Sequence, residues 1–351
     1  MKKKKIFYLM HTEYHLLLSI FHAMENNYLN GKNDVHLIIK SKKSNRLGKD
    51  INFDFLPVNV HYINRNIKLK LKENDKEKID TLINIKVDEF NFFQEQDPLA
   101  LIFIEKFRKQ NTEINLFQDG LKAYAFDSLG FTPSLHLTDL KINKWILQNG
   151  YKINDWLSIF KCNKYAFIKG IDKLFVSRPD KFVNRKNLPV EGIRLSFTKE
   201  YSKIIKHIFQ WKDDILPERE NVIFFMNQPM HDDGSFDMYI LNTLREKYPE
   251  KTIYIKNHPL TPQSKLRNYK SLEDVKIIKS KIPAELFISM LSKSIVLSVA
   301  STSMLTNNPS CKFYWLHGIK KNNNIETLKK YKIYNPTDHI QTIQDVNDIK
   351  F

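Results

Sequence analysis

The sequence is poor in glycine and cysteine. Glycine occurs nine times in 351 residues, well below the roughly 7% of average proteins. This scarcity excludes collagen-like chains, glycine-rich linkers and low-complexity architectures. The only cysteines, Cys162 and Cys311, exclude a disulfide framework and a zinc site made of cysteines alone. These absences indicate a globular protein of a reducing, cytosolic compartment.

Long apolar runs are also missing. The lysines after Met1 resemble the start of a signal peptide, but the apolar run Ile6–Met10 is too short for its hydrophobic region and is followed by polar residues. No stretch reaches the roughly 18 apolar residues that a membrane-spanning helix needs. We therefore expect no transmembrane segment. The predicted location is the cytoplasm, either in solution or peripherally on the inner face of the cell membrane.

The common cofactor and metal motifs are absent as well. The sequence contains no dinucleotide fingerprint, P-loop, H-E-x-x-H zinc motif or G-x-S-x-G nucleophile elbow. It also lacks the D-x-D string with which many nucleotide-sugar transferases hold a metal. His11 and His15 stand four residues apart, but no third ligand accompanies them. We therefore predict chemistry without a metal or a cofactor.

Positive charge, in contrast, is abundant. Lysine and arginine number 56 against 39 acidic residues, a net charge of +17. Such an excess favours a polyanionic partner: nucleic acid, an anionic membrane surface or a phosphate-bearing small molecule. A solvated, lysine-rich surface without a partner is the alternative. Nucleic acid is disfavoured because the lysines are dispersed and no nucleic-acid-binding motif is present. The most charged segment, Lys68–Lys86, predicts a solvated helix and loop, or a membrane-facing patch.

Apolar strands and amphipathic helices alternate along the chain. This pattern predicts an α/β fold with two domains, 1–195 and 196–351, each on a mostly parallel sheet. The strands predicted in the first domain are Ile6–Met10, Val35–Ile39, Val58–Ile63, Ile114–Phe117 and Leu174–Val176. Those predicted in the second are Val222–Met226, Thr252–Lys256, Val275–Lys279, Ile295–Val299 and Lys312–Leu316. Helices are predicted at Glu13–Asn26, Leu99–Phe107 and Met304–Asn308, with a long helix around Lys199–Trp211.

Polar residues follow five of these strands. Ligands of open α/β sheets bind beyond the carboxyl ends of the strands, so these residues are candidates for a functional site. They are His11-Thr12, Asp119-Gly120, Asn227-Gln228, His258-Pro259 and Ser301-Thr302-Ser303. Two groups come from the first half of the chain and three from the second.

The residues of the second half suit an anionic ligand. Pro259 ends a strand and holds His258 at its tip, where an imidazole can give a hydrogen bond or a proton to a leaving phosphate. Lys256 adds a positive charge nearby. Ser301, Thr302 and Ser303 supply hydroxyl and N–H groups for an anion. An ordinary surface turn and an ordinary helix cap are the alternatives for these two groups.

Two acidic groups are candidates for a general base. Asp119 lies at a strand tip, and Gly120 would let a substrate approach its carboxylate. Asp232-Asp233-Gly234 offers a pair of adjacent carboxylates, which push one pKa upward. Both strings are also typical of solvated turns.

The motifs together resemble those of bacterial sialyltransferases. These enzymes share an acidic-acidic-Gly motif, a His-Pro motif and a Ser-Ser/Thr motif, which match Asp119-Gly120, His258-Pro259 and Ser301–Ser303. Val222–Pro229 followed by Lys256–Pro259 most resembles glycosyltransferase family 52, the lipooligosaccharide and capsule sialyltransferases. Family 38, the polysialyltransferases, is a close second. The resemblance is concentrated in residues 110–120 and 220–305, and one position departs from it: Gln118 stands where an acidic residue is expected.

The resemblance implies a GT-B fold, in which two Rossmann-like domains enclose the active site in the cleft between them. It implies an inverting, metal-independent transfer of sialic acid from CMP-sialic acid to a glycan hydroxyl. The second domain would bind the CMP-sugar and the first the acceptor. His258 would serve as acid or as donor to the CMP phosphate.

The resemblance also assigns the remaining candidates. Ser301, Thr302 and Ser303 would hold the phosphate, and Asn227 and Gln228 would line the nucleotide pocket, with Asp232, Lys256 and Pro259 nearby. His11, Thr12 and Gly120 would face the sugars. Asp119 is the preferred base and Asp233 the alternative.

Other functions remain open at this stage. Within enzymes they are a transferase of another CMP-activated acidic sugar, such as CMP-Kdo, and a GT-B enzyme using a UDP-hexose. Outside enzymes they are a non-catalytic glycan-binding or polyanion-binding protein. The expected partners are the CMP-sugar donor, a glycan or lipid-linked glycan acceptor and an anionic membrane surface, with no nucleic acid. Family analogy adds a homodimer.

Overall fold

The chain forms two compact units, Met1–Gln210 and Trp211–Phe351. The computed structural model describes residues 3–41, 47, 51–124, 133–154, 165–183, 187–228, 234–258, 260–272, 274–319 and 337–351. Each unit is built on one sheet whose paired strands all run parallel. The α/β fold with two parallel-sheet domains, predicted from the alternation of strands and helices, is therefore confirmed.

The first unit contains seven strands and five helices among its described residues. The strands are β1 (Lys5–Met10), β2 (Asp34–Ser41), β3 (Val58–Asn64), β4 (Glu89–Phe92), β5 (Glu113–Phe117), β6 (Lys173–Val176) and β7 (Val190–Gly192). The helices are α1 (Glu13–Glu25), α2 (Glu73–Ile83), α3 (Pro98–Phe107), α4 (Pro133–Gln148) and α5 (Lys199–Ile208). The sheet order is β3-β2-β1-β4-β5-β6-β7.

Burial explains why strand β1 is a continuous apolar run. Ile6 to Met10 of β1 are all buried, as expected for a parallel strand covered on both faces. On one face, α3 packs Phe103 and Phe107 against Phe90 of β4, with ring centroids 5.6 and 5.3 Å apart. The register pairs Ile6 with Glu89 and Leu9 with Phe92. The ends of β1 and β4 therefore lie side by side.

The second unit contains six strands and three helices in its described part. The strands are β8 (Ile223–Met226), β9 (Ile253–Lys256), β10 (Val275–Ile278), β11 (Ile295–Ser298), β12 (Lys312–Trp315) and β13 (Ile340–Thr342). The helices are α6 (Ser235–Lys247), α7 (Gln263–Lys270) and α8 (Ala284–Met290). The sheet order is β10-β9-β8-β11-β12-β13, which makes β8 the neighbour of both β9 and β11.

The division between the units follows helix α5. Phe197 and Tyr201 pack their rings against Phe21 of α1, at 5.1 and 5.8 Å between centroids. These contacts join α5 to the first unit, which extends to Gln210. The boundary predicted from the sequence lies after residue 195, before this helix.

One predicted element is wrong. The segment predicted as a helix at Met304–Asn308 is instead a four-residue 3-10 helix at Thr302–Leu305. Thr306 already has extended backbone angles, and Pro309 restricts the residue before it to extended conformations. A longer helix is therefore blocked on its carboxyl side.

Candidate functional site

The sheet of the first unit brings Asp119 and Gln94 together. Asp119 follows β5 and Gln94 follows its neighbour β4, so both lie at the same edge of the sheet. Oδ2 of Asp119 accepts a hydrogen bond of 2.8 Å from Nε2 of Gln94. Oδ1 accepts one of 2.9 Å from Nε2 of His15, in the first turns of α1. The carboxylate is thus fixed by two side chains that the sequence analysis did not assign.

His15 is itself held rigidly. Its ring is fully buried and stacks on Phe93 with centroids 4.1 Å apart and planes at 4°. Its backbone N–H donates to Oγ1 of Thr12, the cap of α1. Thr12, predicted to bind substrate, therefore also fixes the start of the helix that carries His15.

Asp119 is ionised throughout the physiological range. Burial acts to raise the pKa of Asp119, but the hydrogen bond and electrostatic attraction of His15 and the bond from Gln94 hold that pKa well below its usual range. The side chain is one-third exposed, at 33%, so it remains accessible to a ligand. A carboxylate in this condition is a permanent hydrogen-bond acceptor and a weak base.

His11 completes the group at the end of β1. Its half-buried ring meets that of His15 edge to face, with centroids 4.4 Å apart. Burial, with further contributions from His15 and Lys40, lowers the pKa of His11 well below its usual value. The neutral imidazole offers one donor and one acceptor, which suits a sugar hydroxyl. His11, His15, Gln94 and Asp119 are called the Asp119 cluster below.

Gln118 explains the departure from the acidic-acidic-Gly motif. Its buried Nε2 donates to the hydroxyls of Tyr14 and Ser177, each at 2.6 Å, while Oε1 accepts from Ser177 N at 2.7 Å and from Tyr124 Oη at 3.0 Å. An amide provides the donors and acceptors together, and a carboxylate does not. Gly120 has a φ of +71°, in the left-handed region that glycine adopts without strain.

A second charged group in the first unit was missed by the sequence analysis. Lys40, near the end of β2, donates to Oδ2 of Asp97, and Nε of Arg65 lies 4.0 Å from Oδ1. Burial opposes ionisation of Asp97, but the two cations lower its pKa to about 2. Asp97 also caps α3 by accepting from Leu99 N at 2.9 Å. A lysine inside the apolar strand β2 was the available signal.

In the second unit, Asn227 organises the end of β9. Oδ1 of Asn227 accepts from the backbone N–H of His258 at 2.7 Å and from Oγ1 of Thr261 at 3.0 Å. Its Nδ2 donates to Oδ1 of Asn257 at 3.0 Å and to the hydroxyl of Tyr269 at 3.3 Å. Asn227 is buried. It was predicted to line a nucleotide pocket, and the structure places its amide behind His258.

The tautomer of His258 follows from its neighbour. Nδ1 of His258 accepts a hydrogen bond of 3.1 Å from Leu260 N–H. In the neutral ring, the proton therefore lies on Nε2. His258 is half-buried, so this N–H donor belongs to a side chain that solvent reaches.

The other residues predicted to bind the donor substrate have diverse partners. Oγ of Ser301 accepts from Ser303 N at 3.3 Å, and Oγ of Ser303 donates to Oε1 of Glu285 at 2.8 Å. Lys256 is buried and donates to the carbonyl of Ser280 at 2.6 Å. Burial raises the pKa of Glu285. The backbone carbonyl of Gln228 accepts from Nζ of Lys265 at 3.4 Å.

Three predicted residues, Asp232, Asp233 and Pro259, lie outside the described residues. In the described part of the chain, no group of three or more His, Cys, Asp or Glu side chains is arranged to hold a metal ion. None of the described helices combines the length and apolar character that a membrane span requires.

Comparison with known families decides the family. A family model described as alpha-2,8-polysialyltransferase matches residues 11–312. The chain belongs to this family. The polysialyltransferase match confirms the expectation of a bacterial sialyltransferase and makes the protein a glycosyltransferase. It spans the Asp119 cluster, Asn227, His258 and Ser301–Ser303 alike. No curated protein sequence matches the chain significantly.

Solved structures similar to this polysialyltransferase-family protein share its fold. The sialyltransferase from Photobacterium damselae has a TM-score of 0.55 at 12% identity, over 98% of this chain and 82% of that one. Its GT-B domain gives 0.53 at 12% identity, over 97% and 100%. A candidate UDP-N-acetylglucosamine 2-epimerase from Listeria monocytogenes gives 0.55 at 10% identity, over 98% and 84%. At such identities the likeness shows the fold alone, and the predicted GT-B class is confirmed.

Proposed function

We propose that the protein transfers sialic acid from CMP-sialic acid to a hydroxyl of a bacterial surface glycan, with inversion and without a metal. The observation that carries the proposal is the fixed tautomer of His258 at the end of β9, in a chain of the polysialyltransferase family. An N–H donor at a strand end is what a departing phosphate requires.

The donor side of the reaction uses the second unit. Nε2–H of His258 donates to the phosphate of CMP as the bond to the sugar breaks, and Ser301 and Thr302 add hydroxyl groups. Asn227 holds the backbone of His258 through a bond of 2.7 Å, and Leu260 N–H holds Nδ1 of its ring at 3.1 Å, so the ring needs little reorganisation during the reaction. Negative charge that develops on the phosphate is met by hydrogen-bond donors, and no step requires a metal.

The acceptor side uses the Asp119 cluster. CMP departs as the sialyl group passes through an oxocarbenium-like state, and the attacking hydroxyl of the acceptor becomes acidic as its oxygen bonds to the sugar. Asp119, which stays ionised because its pKa is well below the usual range, orients this hydroxyl and takes its proton late. The neutral ring of His11 binds a second hydroxyl of the acceptor. Asp233 is the alternative base.

The acceptor that we propose is a glycan of lipooligosaccharide or capsule that already ends in sialic acid. The description of the family, alpha-2,8-polysialyltransferase, supports this choice. So does the net charge of +17, because a basic protein attracts a polyanionic acceptor and raises its association rate.

A donor screen tests the proposal. The protein is incubated with CMP-sialic acid, CMP-Kdo, UDP-galactose and UDP-glucose in EDTA, with lactose-type and sialylated acceptors, and nucleotide release is measured. We expect CMP release from CMP-sialic acid that His258→Ala abolishes. His207→Ala, which changes an exposed histidine of α5, is the matched control and should retain turnover. Turnover of CMP-Kdo or a UDP-sugar alone would overturn the donor assignment.

A further inference from the structure

A buried ion pair in the second unit has no part in the chemistry proposed above. Nζ of Lys265, on α7, lies 2.8 Å from Oδ2 of Asp237, in the first turn of α6. Both side chains are only 1% exposed. Replacing such a pair by apolar residues often costs no stability, so stability alone does not account for this one.

Tyr269 joins the ion pair to the end of strand β8. It stands four residues after Lys265 on α7, so the two side chains share one face of that helix. The hydroxyl of Tyr269 donates to Oδ2 of Asp237, the oxygen that also contacts Lys265. The same hydroxyl oxygen accepts a hydrogen bond of 3.3 Å from Nδ2 of Asn227, the residue that follows β8. One phenol group therefore connects Asp237 to Asn227.

The charge of Asp237 fixes the direction of these hydrogen bonds. The ammonium group at 2.8 Å favours the ionised carboxylate, and an ionised carboxylate only accepts hydrogen bonds. The single proton of the Tyr269 hydroxyl is therefore directed at Asp237, and its oxygen can only accept from Asn227. The amide of Asn227 must then turn Nδ2 toward Tyr269, which leaves Oδ1 for the backbone N–H of His258 at 2.7 Å.

Gly234, the N-cap of α6, makes room for Lys265. A Cβ at Gly234 would lie 3.1 Å from Cγ of Lys265, and the φ of +85° favours glycine as well. Nζ of Lys265 also donates to the backbone carbonyl of Gln228, at 3.4 Å. The lysine therefore contacts the chain directly after Asn227 as well as the start of α6.

We propose that Asp237, Lys265 and Tyr269 are positioning residues for His258. The inference rests on the proposed function, in which Nε2–H of His258 donates to the phosphate of CMP. The charge of the ion pair directs the hydroxyl of Tyr269, and this hydroxyl orients the amide that holds the backbone of His258. The histidine is thereby kept in place before the donor binds, as a preorganised hydrogen-bond donor requires. We expect none of the three residues to contact substrate.

Tyr269→Phe tests the hydroxyl that joins the ion pair to Asn227. The measurements are kcat and KM for CMP-sialic acid, and hydrogen exchange of the His258 backbone amide followed by NMR. We expect kcat to fall about tenfold, while KM for the donor stays nearly constant. The His258 amide should exchange about fivefold faster than in the parent, because its acceptor is less firmly held.

Tyr254→Phe is the matched control for the loss of a buried tyrosine hydroxyl. Tyr254 lies in β9 of the same unit and is buried. Its hydroxyl accepts from the backbone N–H of Glu218, at 3.3 Å, rather than from Asn227. This variant should lower the melting temperature while leaving kcat and the exchange of the His258 amide unchanged.

A double variant without the two charges separates positioning from stability. Asp237→Asn alone leaves the ammonium of Lys265 buried without this counter-charge, so the melting temperature should fall. Adding Lys265→Met removes the ammonium and should restore most of the melting temperature. The double variant should still have low kcat and fast exchange of the His258 amide. An amide can itself donate to Tyr269 and so no longer fixes the direction of the phenol proton.

Two results would overturn the inference. The first is a His258 amide that exchanges as in the parent in both Tyr269→Phe and the double variant. The second is a double variant whose kcat recovers together with its melting temperature, which would make the ion pair purely structural. Hydrogen exchange needs no turnover. A parent inactive toward CMP-sialic acid would therefore contradict the proposed function, while the exchange rates would still support or overturn the role of Tyr269.

Discussion

Nε2 of His15 donates to Oδ1 of Asp119 across 2.9 Å, although the residues are 104 positions apart in the sequence. An ionised carboxylate only accepts hydrogen bonds, so this contact fixes the proton of His15 on Nε2. Phe93 holds the ring in its plane by stacking. The orientation of Asp119 is therefore determined by a residue that we do not expect to contact substrate, which makes His15 a positioning residue.

Replacing His15 should change the pH dependence of the reaction as well as its rate. His15→Ala removes the main contact that lowers the pKa of Asp119, so this pKa rises and Asp119 protonates at higher pH. We expect the acidic limb of the kcat profile to move upward, and kcat at neutral pH to fall about 100-fold, as for a misplaced catalytic group. The measurement is kcat against pH with saturating donor and acceptor.

His15→Gln is the rescue variant, because its side-chain amide can still donate to Asp119. It should recover part of kcat and return the acidic limb toward lower pH. His36→Gln changes a histidine of β2 whose Nε2 lies 3.1 Å from Oδ1 of Asp34 instead, and it should leave the profile unchanged. Equal profiles for His15→Ala and the parent would contradict the positioning role.

The same contact predicts how stability varies with acid. The pKa of Asp119 is lower in the folded protein than in the unfolded chain. The ionised carboxylate therefore stabilises the fold at pH values above the unfolded-state pKa of about 3.9. This stabilisation is lost as the pH falls through the folded-state pKa. His15→Ala should weaken this loss. Unfolding by urea between about pH 2 and 5 would measure it, and an unaltered slope of stability against pH would count against the ionised pair.

Asn227 should matter through His258. Asn227→Ala removes the acceptor of His258 N–H and leaves several buried polar groups without their partner, so unfolding free energy should fall by about 1–3 kcal/mol. The rate of CMP release should fall by more than the loss of folded protein explains. Thr261→Val, which removes only one of the donors to Asn227, is the control and should have a small effect on turnover. For both variants, stability is measured by thermal melts, and turnover of the donor is measured at temperatures below the melting range.

The sequence predicted the strand-end residues because each follows a continuous apolar run. In a parallel sheet such a run ends at a known edge, so His11, Asp119 and His258 could be placed without coordinates. The contacts of Asp119 could not be predicted in this way. His15 was noticed only through its spacing from His11, as an incomplete metal pair, since nothing local connects it to a residue 104 positions away.

Strand β4 was missed for a related reason. It alternates apolar residues with Glu89 and Asn91, yet all four residues are buried. Their polar groups are satisfied by distant partners: Tyr28 Oη donates to Glu89 Oε2 at 2.7 Å, and Asn115 Nδ2 donates to Asn91 Oδ1 at 3.1 Å. Missing β4 also hid Gln94, which follows it and binds Asp119.

Glu285 should oppose stability at neutral and alkaline pH. Its pKa is raised by burial, so the folded protein retains this proton after the unfolded chain has released it, and stability falls as pH rises above the unfolded value. Glu285→Gln keeps an acceptor for Ser303 and removes the buried charge. We expect a higher melting temperature at pH 8 than the parent, and a smaller gain at pH 5. A melting temperature below that of the parent at both pH values would show that the attraction of Glu285 to Lys256 outweighs the cost of burying its charge.

Gln118→Glu restores the acidic-acidic-Gly string of the family, and we expect it to reduce activity. The carboxylate loses the donations of Nε2 to Tyr14 and Ser177, and it places a second buried negative charge next to Asp119. Neighbouring like charges raise each other's pKa, which makes Asp119 easier to protonate. The melting temperature should fall, and kcat should decline further as pH is lowered.

Tyr14→Phe removes one partner of Gln118 without adding charge, so it should lower stability modestly without moving the pH profile. Higher turnover of Gln118→Glu with an unchanged melting temperature would show that the second carboxylate, rather than the amide network, is what this position requires.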